Sequence, residues 1–220
     1  MDTIPANHLI DPCNRRLNYL RISVTDRCNL RCAYCLPSED VPRLAHEEVL
    51  RYEEILRVVR VGVGLGISKV RVTGGEPLVR KGVLGFLAEL ARFPEIRDLS
   101  LTTNGVLLKE NLDALRAAGV ARINISLDSL KPERYRRITG VDAFHAVWEG
   151  VRAAHARGFR PIKLNAVALR GVNDDELGEM AESMRTTFQG LGRMTREIQH
   201  AGVVVDEKVA RVTSVAQSLS

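Results

Sequence analysis

Tyr19-Leu20-Arg21-Ile22-Ser23-Val24-Thr25 is followed two residues later by Cys28-Asn29-Leu30-Arg31-Cys32-Ala33-Tyr34-Cys35. The first segment alternates apolar and polar side chains and is rich in β-branched residues, which predicts a strand. The loop after it places three thiols as Cys-x3-Cys-x2-Cys. Three thiolates at that spacing can hold three irons of a 4Fe–4S cluster. The fourth iron is then left open to bind and reduce another molecule. Two plainer readings compete: a zinc site with His46 or His8 as fourth ligand, or ordinary buried thiols. Structural zinc sites usually pair their ligands as Cys-x2-Cys, so the uneven triplet disfavours zinc.

Outward from this stretch the chain repeats strand and helix. Segments 67–73, 98–103, 121–127 and 161–169 are short and β-branched. Between them, apolar residues fall three or four apart: Val49, Tyr52, Leu56, Val59 and Val63 in 46–64; Val83, Phe86 or Leu87, Leu90 and Phe93 in 82–93; Phe144, Val147, Val151 and Ala154 in 142–157. Gly119 and Gly158 read as residues just past helix ends. Such alternation predicts an α/β fold, a parallel sheet covered by helices and closed or partly closed into a (β/α) barrel. An open doubly wound sheet has the same local signature, and periodicity alone leaves that choice open. Residues 1–185 are expected to form this core, with Asn173 capping a helix over 174–188. Residues 186–220 form a divergent tail, with a short hairpin from Ala201–Val205 and Val209–Val215.

In either architecture the active site lies at the carboxyl ends of the strands. The cysteine loop ends the first strand, Thr73-Gly74-Gly75-Glu76-Pro77 the second, Thr102-Thr103-Asn104-Gly105 the third and Ser126-Leu127-Asp128 the fourth; Lys163 and Asn165 lie within the fifth. Tyr34 is placed to stack on or hydrogen-bond a ligand at the open iron, or to pack beside the cluster. Arg27, Asn29 and Arg31 either shield the sulfurs or form a solvated loop. Gly74 and Gly75 let backbone approach a ligand closely, Glu76 supplies an anion suited to an ammonium group, and Pro77 stiffens the turn. Arg21, Arg71 and Lys163, with Thr102, lie on four different strands and can converge on an anionic, phosphorylated substrate. Gly62, Gly64 and Gly66 lack the spacing of a dinucleotide loop.

A 220-residue chain with 45% hydrophobic and 27% charged residues suits one globular domain with a tail. It has no apolar run long enough to span a membrane. Met1-Asp2-Thr3-Ile4-Pro5 lacks a basic region and an apolar signal core, which reads as a cytoplasmic location. Three of four cysteines bunched in eight residues suit a reducing compartment better than a disulfide framework, and Cys13 reads as a surface or core thiol. The net charge of +5 is scattered, with no basic block interleaved with aromatics, so nucleic acid is not an expected partner.

The motifs Cys28 to Pro37, Arg71-Val72-Thr73-Gly74-Gly75-Glu76-Pro77-Leu78, Leu101 to Gly105, Ile123 to Leu130 and Gly171-Val172-Asn173-Asp174 together resemble the GTP 3′,8-cyclases of molybdenum-cofactor biosynthesis, a family of radical S-adenosylmethionine (radical SAM) enzymes. The likeness covers roughly residues 12–180. It implies a partial (β/α) barrel, one N-terminal 4Fe–4S cluster on Cys28, Cys32 and Cys35, and SAM contacts at Tyr34, Gly75 and Ser126, with Gly74 and Glu76 at the SAM amino group. It further implies GTP contacts at Arg21, Arg71, Thr102 and Lys163 and an outside electron donor. The implied reaction cleaves SAM reductively; the 5′-deoxyadenosyl radical takes the ribose C3′ hydrogen of GTP, and C3′ then joins C8 to give (8S)-3′,8-cyclo-7,8-dihydroguanosine 5′-triphosphate. The cofactor carries that chemistry and the protein orients the ribose and excludes water; no side chain is assigned as catalytic.

The family also holds a second cluster on another cysteine triplet, and this chain has no cysteine after Cys35. Neither the family's sixth strand nor its SAM-contacting methionine is recognisable, although Ala210 to Ser218 resembles the segment just before the second triplet. The chain therefore reads as a cyclase core with an internal loss around 185–205, ending short of the second site and impaired in turnover. Two other readings stand beside it: a radical SAM enzyme for a different substrate, and a non-catalytic cluster- or SAM-binding partner of a full-length protein. An unpaired barrel edge makes a homodimer a further expectation.

Overall fold

Five short strands, β1 (Tyr19–Ser23), β2 (Lys69–Thr73), β3 (Asp98–Thr103), β4 (Arg122–Ser126) and β5 (Ile162–Asn165), form one parallel sheet in the order β1-β2-β3-β4-β5. The computed structural model describes residues 9–35 and 44–187. Helices α1 (Tyr52–Gly64), α2 (Val83–Ala91), α3 (Leu108–Ala117), α4 (Pro132–Thr139) and α5 (Phe144–Ala156) fill the connections, and α6 (Leu177–Thr187) follows β5.

The strand order decides what periodicity left open. Parallel crossovers are right-handed, so four that all step the same way put every connecting helix on one face. A doubly wound sheet reverses direction at a switch point and shows strands out of sequence. Sequential order therefore makes this a partial (β/α) barrel. One face of the sheet carries Ile22, Val70, Val72, Leu101, Ile123 and Ile125, all buried. Val59, Leu87, Leu90, Leu112, Leu115, Val147 and Val151 on the helices are buried as well. Each such side chain contributes roughly 1.5–3 kcal/mol on leaving water. The other face is polar and carries Arg21, Arg71, Ser100, Thr102, Asn124 and Lys163.

Three expectations need correction. The helix expected over 46–64 is two pieces, a 3₁₀ turn at His46–Glu48 and α1, with Val49 and Arg51 extended between them. The cause is local: Glu48 accepts from the Ala45 N–H (2.8 Å) and Glu54 from the Arg51 N–H (2.7 Å), so each glutamate starts its own turn. The strand expected over 161–169 stops at Asn165. Asn173 stands ahead of a 3₁₀ turn at Asp174–Glu176, but its side-chain oxygen accepts from the Leu169 N–H (2.7 Å) and does not cap. Gly119 and Gly158 do end α3 and α5, at φ +80° and +74°. Helix α4, which apolar periodicity did not single out, is bounded by Pro132 in its first turn and by Gly140 at φ +71°.

The described residues part into two compact units between Val167 and Ala168. The expected boundary at 185/186 falls inside α6. The hairpin expected at Ala201–Val205 and Val209–Val215 lies outside the described residues, as do His8 and the His46 side chain. Among the described residues no helix is long and apolar enough to cross a membrane.

Candidate functional site

The cysteine loop is held by helix α4. An α-helix leaves its last carbonyls without intrahelical partners. Here Thr139 O accepts from the Arg31 N–H (2.8 Å) and Ile138 O from the Ala33 N–H (2.9 Å). Gly140 follows directly, where an added Cβ would stand 3.0 Å from the Arg31 Cβ at a φ that disfavours any side chain. At the far end of the loop, the Tyr34 hydroxyl donates to Asp128 Oδ2 (2.8 Å), and Asp128 Oδ1 accepts from the Val167 N–H (2.9 Å). Burial pushes the Asp128 carboxyl up, against these two hydrogen bonds. Burial and the adjacent Asp128 hold the Tyr34 phenol well above the usual tyrosine range. The Tyr34 hydroxyl thus clamps the loop to the end of β4, while 40% of the residue stays exposed.

The Gly-Gly-Glu-Pro turn serves the protein itself. Gly75 N–H donates to Thr25 O (2.6 Å) and Glu76 N–H to Arg27 O (2.8 Å), so the turn lies backbone to backbone against the entry of the cysteine loop. A Cβ on Gly74 would come within 2.7 Å of Thr25 O, and one on Gly75 within 2.7 Å of the Arg27 carbonyl carbon. On the side where a Cβ would stand, the close approach these glycines allow is to the chain itself. Glu76 likewise faces inward and is fully buried. Its Oε1 accepts from the Leu78 N–H (3.0 Å) and the Thr103 hydroxyl (2.8 Å), and its Oε2 from the Asn104 N–H (2.6 Å). Burial raises its pKa and the three hydrogen bonds oppose that rise. This carboxyl is the joint between the second and third strand ends, not an anion turned toward a ligand's ammonium.

All four cysteines, including the exposed Cys13, are free thiols. The Cys28 sulfur accepts from the Leu30 N–H (3.4 Å) and from Asn104 Nδ2 (3.6 Å). Burial pushes the Cys32 thiol up to about 11; a hydrogen bond with Tyr34 opposes this, and the charges of Asp128, Cys28 and Cys35 reinforce it. Cys28 and Cys35 thus lie close enough for their charge to be felt at the Cys32 sulfur. Among the described residues, no three His, Cys, Asp or Glu side chains gather tightly enough to hold a single metal ion. Three free thiols on one loop, with amide donors aimed at a sulfur, fit a thiolate-held cluster.

The polar face of the sheet gathers the candidate substrate residues. Arg21, Arg71, Ser100 and Arg122 lie in register across β1 to β4. The row one step nearer the mouth runs Thr102, Asn124, Lys163. Neighbouring strands stand about 4.8 Å apart and the two rows roughly 6.6 Å, so Arg71 and Thr102, on adjacent strands, are within reach of one small anion. Ser126, paired with Asn165, lies one row nearer still to the strand ends. Arg122 is bound to Asp98. Arg71 lies over the Tyr19 ring, 5.4 Å from its centroid. Arg71 Nε and Thr102 Oγ1 are buried without a hydrogen-bond partner among the described residues, an arrangement that costs on the order of 1–3 kcal/mol per group unless something else engages it. Sequence reasoning marks Asn104 and Asp128 only as strand-end residues and does not find Tyr19. Its aromatic character two positions before Arg21 on a half-exposed strand is the signal available.

A sequential parallel half-barrel with a three-thiol loop at its mouth defines a class: α/β barrels that carry a thiolate-bound group over the strand ends. Residues 22–184 match the family model of the Radical SAM superfamily, and the chain belongs to that superfamily of enzymes. The family implies a 4Fe–4S cluster and SAM. The chain is 55% identical over 173 residues to a GTP 3′,8-cyclase of Geobacter sulfurreducens, covering 79% of this chain and 53% of that protein. It is 53% identical over 175 residues to the GTP 3′,8-cyclase of Moorella thermoacetica, covering 80% and 54%. The chain thus spans about half the length of the curated relatives it matches. Among solved structures, Streptococcus suis SuiB bound to S-adenosylmethionine shares the fold at TM-score 0.64 and 18% identity, over 77% of this chain and 38% of SuiB. The structure of anSMEcpe with bound AdoMet shares it at TM-score 0.55 and 20% identity, over 76% and 47%.

Proposed function

We propose that this chain forms the SAM- and nucleotide-binding core of a GTP 3′,8-cyclase, acting on GTP to give (8S)-3′,8-cyclo-7,8-dihydroguanosine 5′-triphosphate in the first step of molybdenum-cofactor biosynthesis. The relatives at 55% and 53% identity carry that name and support the reading. The observation that carries it is the polar face. Arg71 and Thr102 hold buried polar atoms without hydrogen-bond partners among the described residues, and Arg21 and Lys163 stand on the same face on the two outer strands. Guanidinium and ammonium groups with a hydroxyl, spread over two rows, suit the charge and donor needs of a triphosphate.

In this reading Cys28, Cys32 and Cys35 hold the cluster, which when bound supplies the electron that opens SAM to radical chemistry. Tyr34 and Asp128 fix the loop so that the thiols stand over the strand ends. Ser126 and the backbone of Gly74 and Gly75 line the SAM side of the mouth, while Glu76 holds that backbone in place. Arg21, Arg71, Thr102 and Lys163 grip the phosphates deeper in the barrel, which turns the ribose toward the thiol loop. An electron donor, a cytoplasmic location and self-association through an open sheet edge belong to the same proposal.

These 220 residues offer thiolates for one cluster only. The proposal therefore expects SAM cleavage to outpace GTP cyclisation in this chain by itself. The test is anaerobic reconstitution followed by product analysis. Cyclised GTP, lost on Arg71→Ala while SAM cleavage persists, supports the reading. Cleavage stimulated by another substrate and not by GTP makes this a different radical SAM enzyme. SAM binding without cleavage makes it a non-catalytic partner.

A further inference from the structure

The geometry points to Asn104 as a residue that tunes the reduction potential of the cluster, by donating an N–H to the sulfur of Cys28. The inference rests on the cluster reading of the three cysteines. Asn104 is buried, and its backbone N–H and both ends of its side-chain amide have partners. Its backbone N–H goes to Glu76 (2.6 Å), its side-chain oxygen accepts from the Val106 N–H (3.0 Å), and its Nδ2 donates to Asn29 Oδ1 (2.7 Å) and toward Cys28 Sγ at 3.6 Å. The bond to Val106 settles which end of the amide faces the sulfur: the oxygen is committed to the turn, so only the NH2 group can point at Cys28. With the Leu30 N–H, this gives the Cys28 corner two donors. Among the hydrogen bonds described for the three thiols, no second amide pair of this kind serves Cys32 or Cys35.

Donors to a cluster sulfur favour the reduced, more negative form and raise its potential. Through Asn104, the electron affinity of the cluster is tied to the Glu76 joint that sets the third strand end. The third strand also carries Thr102, so the residue that touches the sulfur is two positions from one that faces the substrate.

Redox titration of the anaerobically reconstituted protein by electron paramagnetic resonance tests this. Asn104→Asp keeps the acceptor for Val106 and replaces the donor by an oxygen. Asn104→Ala removes both. Asn104→Ser keeps a hydroxyl for the turn but is too short to reach the sulfur. With iron content unchanged, the expected result is a lower potential in all three, largest in Asn104→Asp. A tenfold loss of reduced cluster at fixed poise reads as 59 mV for a one-electron couple. Wild-type potential in variants that retain the cluster overturns the inference, and so does loss of the cluster from all three, which would make Asn104 an assembly residue. If the wild-type protein itself takes up no cluster, the cluster reading fails, an outcome distinct from either.

Discussion

The mouth of the barrel and its polar face use their motif side chains differently. At the mouth the motif side chains have partners inside the protein: Glu76 takes three donors, Asn104 uses its amide and its backbone, Tyr34 meets Asp128, and the loop backbone is bound to α4; Asp26 Oδ1 and the Tyr135 hydroxyl, beside them, are buried without hydrogen-bond partners among the described residues. On the polar face, Arg71 Nε and Thr102 Oγ1 are buried without partners among the described residues. The contrast teaches that motif residues at the mouth work mainly as a scaffold that aims three thiols. Two residues on the face, Arg71 and Thr102, keep polar atoms available to a ligand.

Substitutions should separate the two regions. Cys32→Ser should have the largest effect, lowering iron from about four per chain to less than one after reconstitution; a variant that still binds four would remove Cys32 from the ligand set. Glu76→Ala leaves the Thr103 hydroxyl and the Leu78 and Asn104 N–H groups unpaired, so it should cost about 3 kcal/mol in urea unfolding of the apoprotein. Arg71→Ala should invert that pattern. Stability should change by about 0.5 kcal/mol or less, while GTP affinity, measured by calorimetry, falls tenfold or more. Equal loss of stability in Arg71→Ala and Glu76→Ala would erase the distinction between the regions.

Smaller effects sharpen the picture at the loop. Burial holds the Cys32 pKa at about 11, so in the apoprotein its reactive thiolate is scarce at neutral pH and grows as pH rises. Alkylation of Cys32, followed by peptide mass spectrometry, should therefore quicken about tenfold per pH unit from 8 to 10. A plateau below pH 9 would contradict the buried setting. Tyr34→Phe removes one hydrogen bond to a buried carboxyl and should cost about 1 kcal/mol, with more iron lost on chelator challenge than from the wild type.

Much of this layout is legible in the chain. The strand segments around Tyr19, Lys69, Asp98, Arg122 and Ile162 announce themselves by β-branched alternation, and the thiol spacing marks the mouth. The reading stops where partners are distant in sequence. Sequence shows what Gly74, Gly75 and Glu76 can contact, but not that they also meet Thr25, Arg27 and Asn104. Tyr34 shows the same gap, since its partner Asp128 is 94 residues away. Barrel and doubly wound sheet differ only in strand order, which no local pattern encodes. Helix α4 hides because its eight residues include four charged ones and only two buried apolar contacts, Tyr135 and Ile138. Its carbonyls, not its side chains, do the holding.

Iron and SAM together give the most direct measurement. The chain is reconstituted anaerobically with iron and sulfide, desalted, reduced with dithionite and mixed with SAM; bound iron and 5′-deoxyadenosine are then quantified. The account predicts about four irons per chain and 5′-deoxyadenosine that disappears in Cys28→Ser. One zinc per chain, or bound iron with no cleavage of SAM, would contradict it.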